Sequence, residues 1–439
     1  MKKALFFGII FFLCSYLLQA QDTNRIRQNL NDLSSPTMHG RGYAYNGDSI
    51  AANYIREQFK QIGVFPFSSD DYYNRYGFNI YAMEGPITFT LNDKKLIPWT
   101  DFSLAPYSKS ANGTYTVLTV KPEVLLNGLN SLEQFCKKNK KVNKQYILYI
   151  DGTNNKNPEL KKKIDHFCYD LNLHNGKFPF AGIMVGVNEM PVWSFNNAKK
   201  ECDYILGYIK NGLNKKKEST LQLSYTNNYR YHATQNVCAV IPGTRVLDSI
   251  IIIGAHYDHL GQMGDAVLFP GCHDNASGTA TVLEMARYFK EHPPKYTTMF
   301  VLFSGEEAGL MGSLAFVNAK LFDFSKVKLM LNLDLLCGGD DGFTIVNSDG
   351  DNTKDFFNTL VEKNETEHWV AKVNPRKNAN NSDHAPFVMN GMPGVFLYTL
   401  GGKTGGYHKP DDTSDNASLS AWPGIFKLLI YGLENIGVR

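Results

Sequence analysis

Ser249-Ile250-Ile251-Ile252-Ile253-Gly254-Ala255-His256-Tyr257-Asp258 is the stretch from which the fold is read. The unbroken isoleucine run suits a central strand covered on both faces. Polar residues follow where that strand must end. The same order, apolar strand and then charge, recurs downstream. Residues 299–303 are followed by Ser304-Gly305-Glu306-Glu307, and residues 329–333 deliver Asp334. Residues 395–398 lead through a glycine-rich loop to Tyr407-His408. Residues 237–241 read as a further strand. A helix is expected over 276–290, with Val282, Leu283, Ala286 and Phe289 as its apolar stripe and Pro293-Pro294 as its stop. Residues 425–433 belong to a closing helix. Alternating strands and helices imply an α/β layer sandwich, and in such sheets functional groups gather at the carboxyl ends of strands.

Outward from this half the character changes. Upstream, residues 48–62 place Ala51, Ala52, Ile55, Phe59 and Ile62 on one helical face. Between 86 and about 231 lie short β-like runs at 87–91, 114–120, 146–150, 182–185 and 220–225. Lysine clusters at 137–144, 161–163 and 215–217 separate them and read as solvated faces. Residues 1–20 read as a secretory signal: Lys2 and Lys3, an apolar run over 4–18, and Ala20 at a cut before Gln21. A membrane anchor would need about 20 apolar residues, and this run is shorter. The mature protein is therefore expected to be secreted or periplasmic, with no stable membrane insertion.

Composition sets outer limits. The chain has 439 residues, 43% of them apolar, enough for a large core and against wholesale disorder. Its 45 Lys+Arg against 42 Asp+Glu give +3, and loss of Lys2 and Lys3 brings this to +1. A near-neutral body gives no reason to expect a nucleic-acid partner. Cys136, Cys168, Cys202, Cys238, Cys272 and Cys337 remain after the leader. Their even count permits disulfides, their spacing fixes no pairing, and without a CxxC a thiolate zinc site is not expected.

Five potential metal ligands emerge near the strand ends: His256, Asp274, Glu307, Asp334 and His408. Imidazole and carboxylate together suit Zn²⁺, whereas oxygen alone would suit Mg²⁺ or Ca²⁺. Two histidines and three carboxylates exceed one open tetrahedral site, but serve two ions if one carboxylate bridges. Taken singly, each is weak: Asp274 before Asn-Ala-Ser-Gly also reads as a helix cap, and Glu306-Glu307 as a solvated acidic pair. Adjacent carboxylates can also divide two tasks, one holding metal and the other moving a proton.

The strings Gly254-Ala255-His256-Tyr257-Asp258-His259, Asp274-Asn275-Ala276-Ser277-Gly278, Gly305-Glu306-Glu307, Asn332-Leu333-Asp334, Ser382-Asp383-His384 and Tyr407-His408 resemble, in order, the zinc exopeptidases of metallopeptidase family twenty-eight. The resemblance covers residues 234–439, an early Gly40-Arg41-Gly42 and the helix after it. It implies a three-layer α/β zinc-exopeptidase fold with a central mixed, mainly parallel sheet, and two zinc ions. By analogy His256 and Asp334 hold one zinc, Glu307 and His408 the other, and Asp274 both. Glu306 is the implied general base, Asp258 orients His256, and Tyr407 donates to the oxyanion. A cis Asp274-Asn275 peptide is also implied. Cys272 and His273 depart from the family's usual residues; His273 is expected at the lip of the site, and a Cys272–Cys337 bridge is a possible alternative to free thiols. Residues 21–85 and 233–439 would form the catalytic domain, and 86–232 a β-rich insertion resembling the protease-associated type.

The implied activity is aminopeptidase action on peptides. A carboxypeptidase, with Arg376 or Lys377 for the terminal carboxylate, and a glutaminyl cyclase share the fold; an inactive binding protein would show lost ligands. Gly47-Asp48-Ser49-Ile50 sits at a helix start, not after a buried strand, so a serine esterase is not supported. Side-chain preference and oligomeric state are not readable.

Overall fold

The computed structural model describes residues 22–437, apart from 69–70, 126–127, 154–156, 174–177, 195–200 and 214–218. The leader expected over 1–20 and the lysines 215–217 lie outside the described residues.

The isoleucine run is the centre of a mixed sheet. Its strand, Val246–His256, pairs in parallel with Tyr296–Phe303 on one side and Val327–Leu333 on the other. Gly394–Thr399 continues in parallel, Phe343–Val346 turns antiparallel, and Val373–Arg376 closes that edge. Successive side chains of a strand point to opposite faces. Accordingly Ile251 and Ile253 enter one core with Leu283, Phe289, Phe426 and Leu429, whereas Ile250 and Ile252 enter another with Phe316 and Phe387. Helices Gly47–Ile62, Ser277–Glu291 and Trp422–Glu434 cover the first face, and Met311–Asn318 and His384–Met389 the second. The result is three layers. Burying both faces explains why these strands are apolar throughout. Burying one Leu or Ile side chain stabilises by roughly 1.5–3 kcal/mol.

One expectation needs correction. The runs 220–225 and 237–241 are not two strands but one, Ser219–Ile241, antiparallel to an equally continuous Tyr73–Leu91. No Gly or Pro interrupts residues 219–241, and buried and exposed residues alternate along most of it. Polar residues such as Asn228 and Arg230 mark its outward face, not a loop. Both strands run through positions 86 and 232. The partner strand shifts register between Glu84 and Thr88, where Gly85 takes a positive φ and Pro86 lacks a donor.

Beyond these two strands the sheet continues through Ala111–Val120, Tyr146–Asp151, Gly182–Val187 and Ile205–Lys210, each parallel to the next. Helices Leu129–Lys138 and Pro158–Leu173 accompany them and carry Lys137, Lys138 and Lys161–Lys163. This part has its own apolar clusters, one around Leu148, Ile150, Phe167 and Ile183, the other around Phe89, Phe102, Ile147 and Tyr149. Among the described residues no helix is long and apolar enough to cross a membrane.

Candidate metal centre

The strand ends deliver their charges to one point. His256 ends its strand, Glu306 and Glu307 follow Phe303, and Asp334 follows Leu333. Asp274 precedes the helix Ser277–Glu291, and His408 lies in the loop after Thr399. All five proposed ligands are buried. His256 Nε2 lies 3.2 Å from Asp274 Oδ1 and 3.3 Å from Asp334 Oδ1. His408 Nε2 lies 3.1 Å from Asp274 Oδ2 and 3.3 Å from Glu307 Oε1. Asp274 thus turns one oxygen to each histidine, as a bridging carboxylate would.

These spacings fit metal ligation. Two donors each about 2.0–2.1 Å from a tetrahedral zinc sit roughly 3.3 Å apart. Glu307 Oε1 is buried without a hydrogen bond, which costs about 1–3 kcal/mol unless something satisfies it. Without an ion the imidazoles must serve as the cations. Burial opposes charge on His408, but Glu307 and Asp274 outweigh it and raise its pKa to about 11. Divalent metal would displace such protons, because ligating histidine is neutral.

Glu306 stands apart from the ligands and lines a cavity of about 280 Å³ with His256, Asp274, Asp334 and Tyr407. Burial, together with the carboxylates of Glu307, Asp383 and Asp334, pushes its pKa well above the usual range, against the pull of His256. Asp258 does more than face His256. Its carboxylate is 3.7 Å from His256 Nδ1, while its backbone oxygen is at 3.1 Å. The same carboxylate accepts from Tyr43 Oη (2.6 Å) and from the backbone N–H groups of Glu306 (3.2 Å) and Glu307 (3.3 Å). It therefore holds the turn that presents both glutamates. Tyr407 stacks on His408 with ring centroids 3.8 Å apart. His273 is tied down by the Cys337 N–H, which donates to its Nδ1 (3.1 Å). Cys272 and Cys337 are free thiols, as are Cys136, Cys202 and Cys238; the Cys168 side chain lies outside the described residues. The Asp274-Asn275 peptide is cis.

Several supporting residues have roles that the sequence reading did not assign. Fully buried Arg41 donates to the carbonyls of Leu33, Tyr257 and Pro270 at 2.7 Å and of Gly271 at 2.5 Å, with Asp274 O at 3.3 Å. It pins the loops carrying His256 and Asp274. Its flanking glycines permit the approach: a Cβ on Gly40 would lie 2.4 Å from Phe269 O, and one on Gly42 2.3 Å from Gly261 Cα. Asp412 accepts from the Asp274 N–H (3.1 Å), and Ser382 Oγ donates to Asp334 Oδ2 (3.0 Å). Ser194, far away in sequence, has its Oγ 2.9 Å from His408 Nδ1. Only Ser382 lay in a recognised string; Arg41 was visible as a motif without a role.

Comparison with known proteins bears on the family resemblance and the fold. Residues 236–431 match the family model of Peptidase family M28, so the resemblance read from the motifs holds for that segment. A probable leucine aminopeptidase of Arthroderma otae is 30% identical over 188 residues, 41% of this chain and 51% of its own length. Aminopeptidase YwaD of Bacillus subtilis is 32% identical over 127 residues, 28% of this chain and 26% of its own. The chain spans about half the length, or less, of these curated relatives. In fold, it matches a zinc aminopeptidase from Bacillus subtilis with TM-score 0.67 and 18% identity, over 93% of this chain and 94% of the other. An aminopeptidase from Aneurinibacillus sp. strain AM-1 matches with TM-score 0.63 and 19% identity, over 95% and 94%.

Proposed function

We propose that this protein is an exported zinc-dependent exopeptidase that removes N-terminal residues from peptides. The observation that carries this reading is the convergence of His256, Asp274, Glu307, Asp334 and His408, with the unligated Glu306 beside them in the cavity. His256 and Asp334 would hold one zinc, Glu307 and His408 the other, and Asp274 both. Two such ions supply Lewis acidity for the scissile carbonyl and lower the pKa of water. Glu306 takes the proton from the attacking water and returns it to the leaving amine. Tyr407, at the cavity wall, donates to the oxyanion. Asp258 keeps Glu306 in reach through the backbone of the turn.

The names of the curated relatives support cleavage at the amino end. Arg376 at the cavity wall favours a second reading, carboxypeptidase action, because it offers a cation for a terminal carboxylate. Residues 86–232 are read as an inserted lobe that reaches the site through Ser194. Digestion of free, N-blocked and N-terminal-Gln peptides by the zinc-loaded protein tests the assignment. Shortening from the amino end is expected. Loss of C-terminal residues from N-blocked peptides would establish the second reading, ring closure of N-terminal Gln would indicate a cyclase, and no reaction on any of them would refute a peptidase.

A further inference from the structure

His259 is a buried imidazole that the five-ligand scheme does not use. It is 0% exposed, and neither ring nitrogen has a hydrogen bond. A buried polar group left so is costly. Its Nδ1 lies 2.9 Å from Glu307 Oε1, which is equally buried and equally without a hydrogen bond. Ligand atoms of His259, Asp274 and Glu307 all lie within 4.8 Å of one another. The ring is held in place: His408 meets it edge-on at 5.7 Å, and the backbone N–H of His259 donates to Arg41 O (3.2 Å). A Cβ on Gly271 would come within 2.4 Å of the ring, so that glycine keeps the space open.

We propose that His259 is a further ligand of the ion held by Glu307, His408 and Asp274. This rests on the zinc reading above and deepens it. That ion then has four protein donors, whereas its neighbour has His256, Asp334 and a share of Asp274. Closed four-donor zinc sites are structural, and sites with an open position are catalytic. The cavity agrees with this division. It is lined by His256, Asp274, Asp334 and Glu306, and not by Glu307, His408 or His259. On this division the ion at His256 keeps the more open coordination, and the ion at His259 is the more tightly held.

X-ray absorption spectroscopy of the wild-type protein loaded with two equivalents of zinc tests this without mutation. Three imidazoles shared over the two ions are expected; two would overturn the proposal. Timed extraction by a chelator adds a second readout. One ion should leave at least about 100-fold more slowly than the other, beyond the 10–100-fold effect of a merely supporting contact. His259→Ala should abolish that difference, and externally added imidazole should restore part of it. A His259→Phe variant that keeps the slow ion would also overturn the proposal. If the alanine variant fails to fold, the wild-type spectrum decides. Two imidazoles with intact peptidase activity would sink this inference alone; a chain that takes up no zinc would sink the zinc reading with it.

Discussion

The two flanks of the long strand Ser219–Ile241 are built alike and differ in what their strands deliver. On one side, parallel strands end in His256, Asp334 and the Glu306-Glu307 turn. On the other, Tyr146–Asp151 ends in a carboxylate whose Oδ1 accepts from Thr153 N–H (3.0 Å) and Oγ (2.6 Å), closing a turn. Among the described residues, groupings of three or more possible metal ligands occur on the first side alone. Chemistry is therefore set by the few residues after each strand, and the parallel sheet only makes it possible. The second flank contributes in another way, by reaching across: Ser194 touches His408, and Trp193 stacks on Phe269 with centroids 4.8 Å apart.

This contrast can be broken from either flank. The largest effect is expected from removing metal. Chelation should abolish turnover, and zinc should restore it; turnover that survives exhaustive chelation would refute a metal mechanism. Next comes Glu306→Gln, which should lower kcat by about 10²–10⁴-fold while zinc content measured by elemental analysis stays near that of wild type. Near-normal kcat would remove Glu306 from its role. Arg41→Ala strands several buried carbonyls, each worth about 1–3 kcal/mol, so denaturant unfolding should show a loss of at least about 3 kcal/mol. A loss below about 1 kcal/mol would make Arg41 a bystander. Ser194→Ala should weaken zinc binding about 10–100-fold in a chelator competition, as loss of a ligand's supporting hydrogen bond does. An unchanged affinity would mean that the second flank merely touches the site. Lys137→Ala, on the exposed helix end of that flank, should change stability by no more than about 0.5 kcal/mol.

How far the sequence could be read follows the same division. The half that bears the cluster was legible because a strand buried on both faces must be apolar and its end must be polar, so 249–258 announced both the element and the candidate site. His256, Asp274, Glu307, Asp334 and His408 meet as their motifs implied. Arg41, Ser194 and Asp412 were not legible in role, since each acts through backbone or ring contacts across long stretches of chain that no local pattern encodes. His259 was in plain view beside His256 and Asp258, but its distinguishing property is the lack of hydrogen-bond partners in a closed space, which only packing reveals. The long strand was missed because polar residues on its outward face looked like an interruption.

That strand also limits how the molecule can be dissected. The family match begins at residue 236, inside Ser219–Ile241. A gene fragment started there would keep residues 237–241, which pair with Tyr296–Phe303, but would lack Phe65–Pro66 and Tyr73–Leu91, which cover the other edge of that strand. Unpaired strand edges invite aggregation, so a truncated catalytic core should precipitate where the intact polypeptide does not.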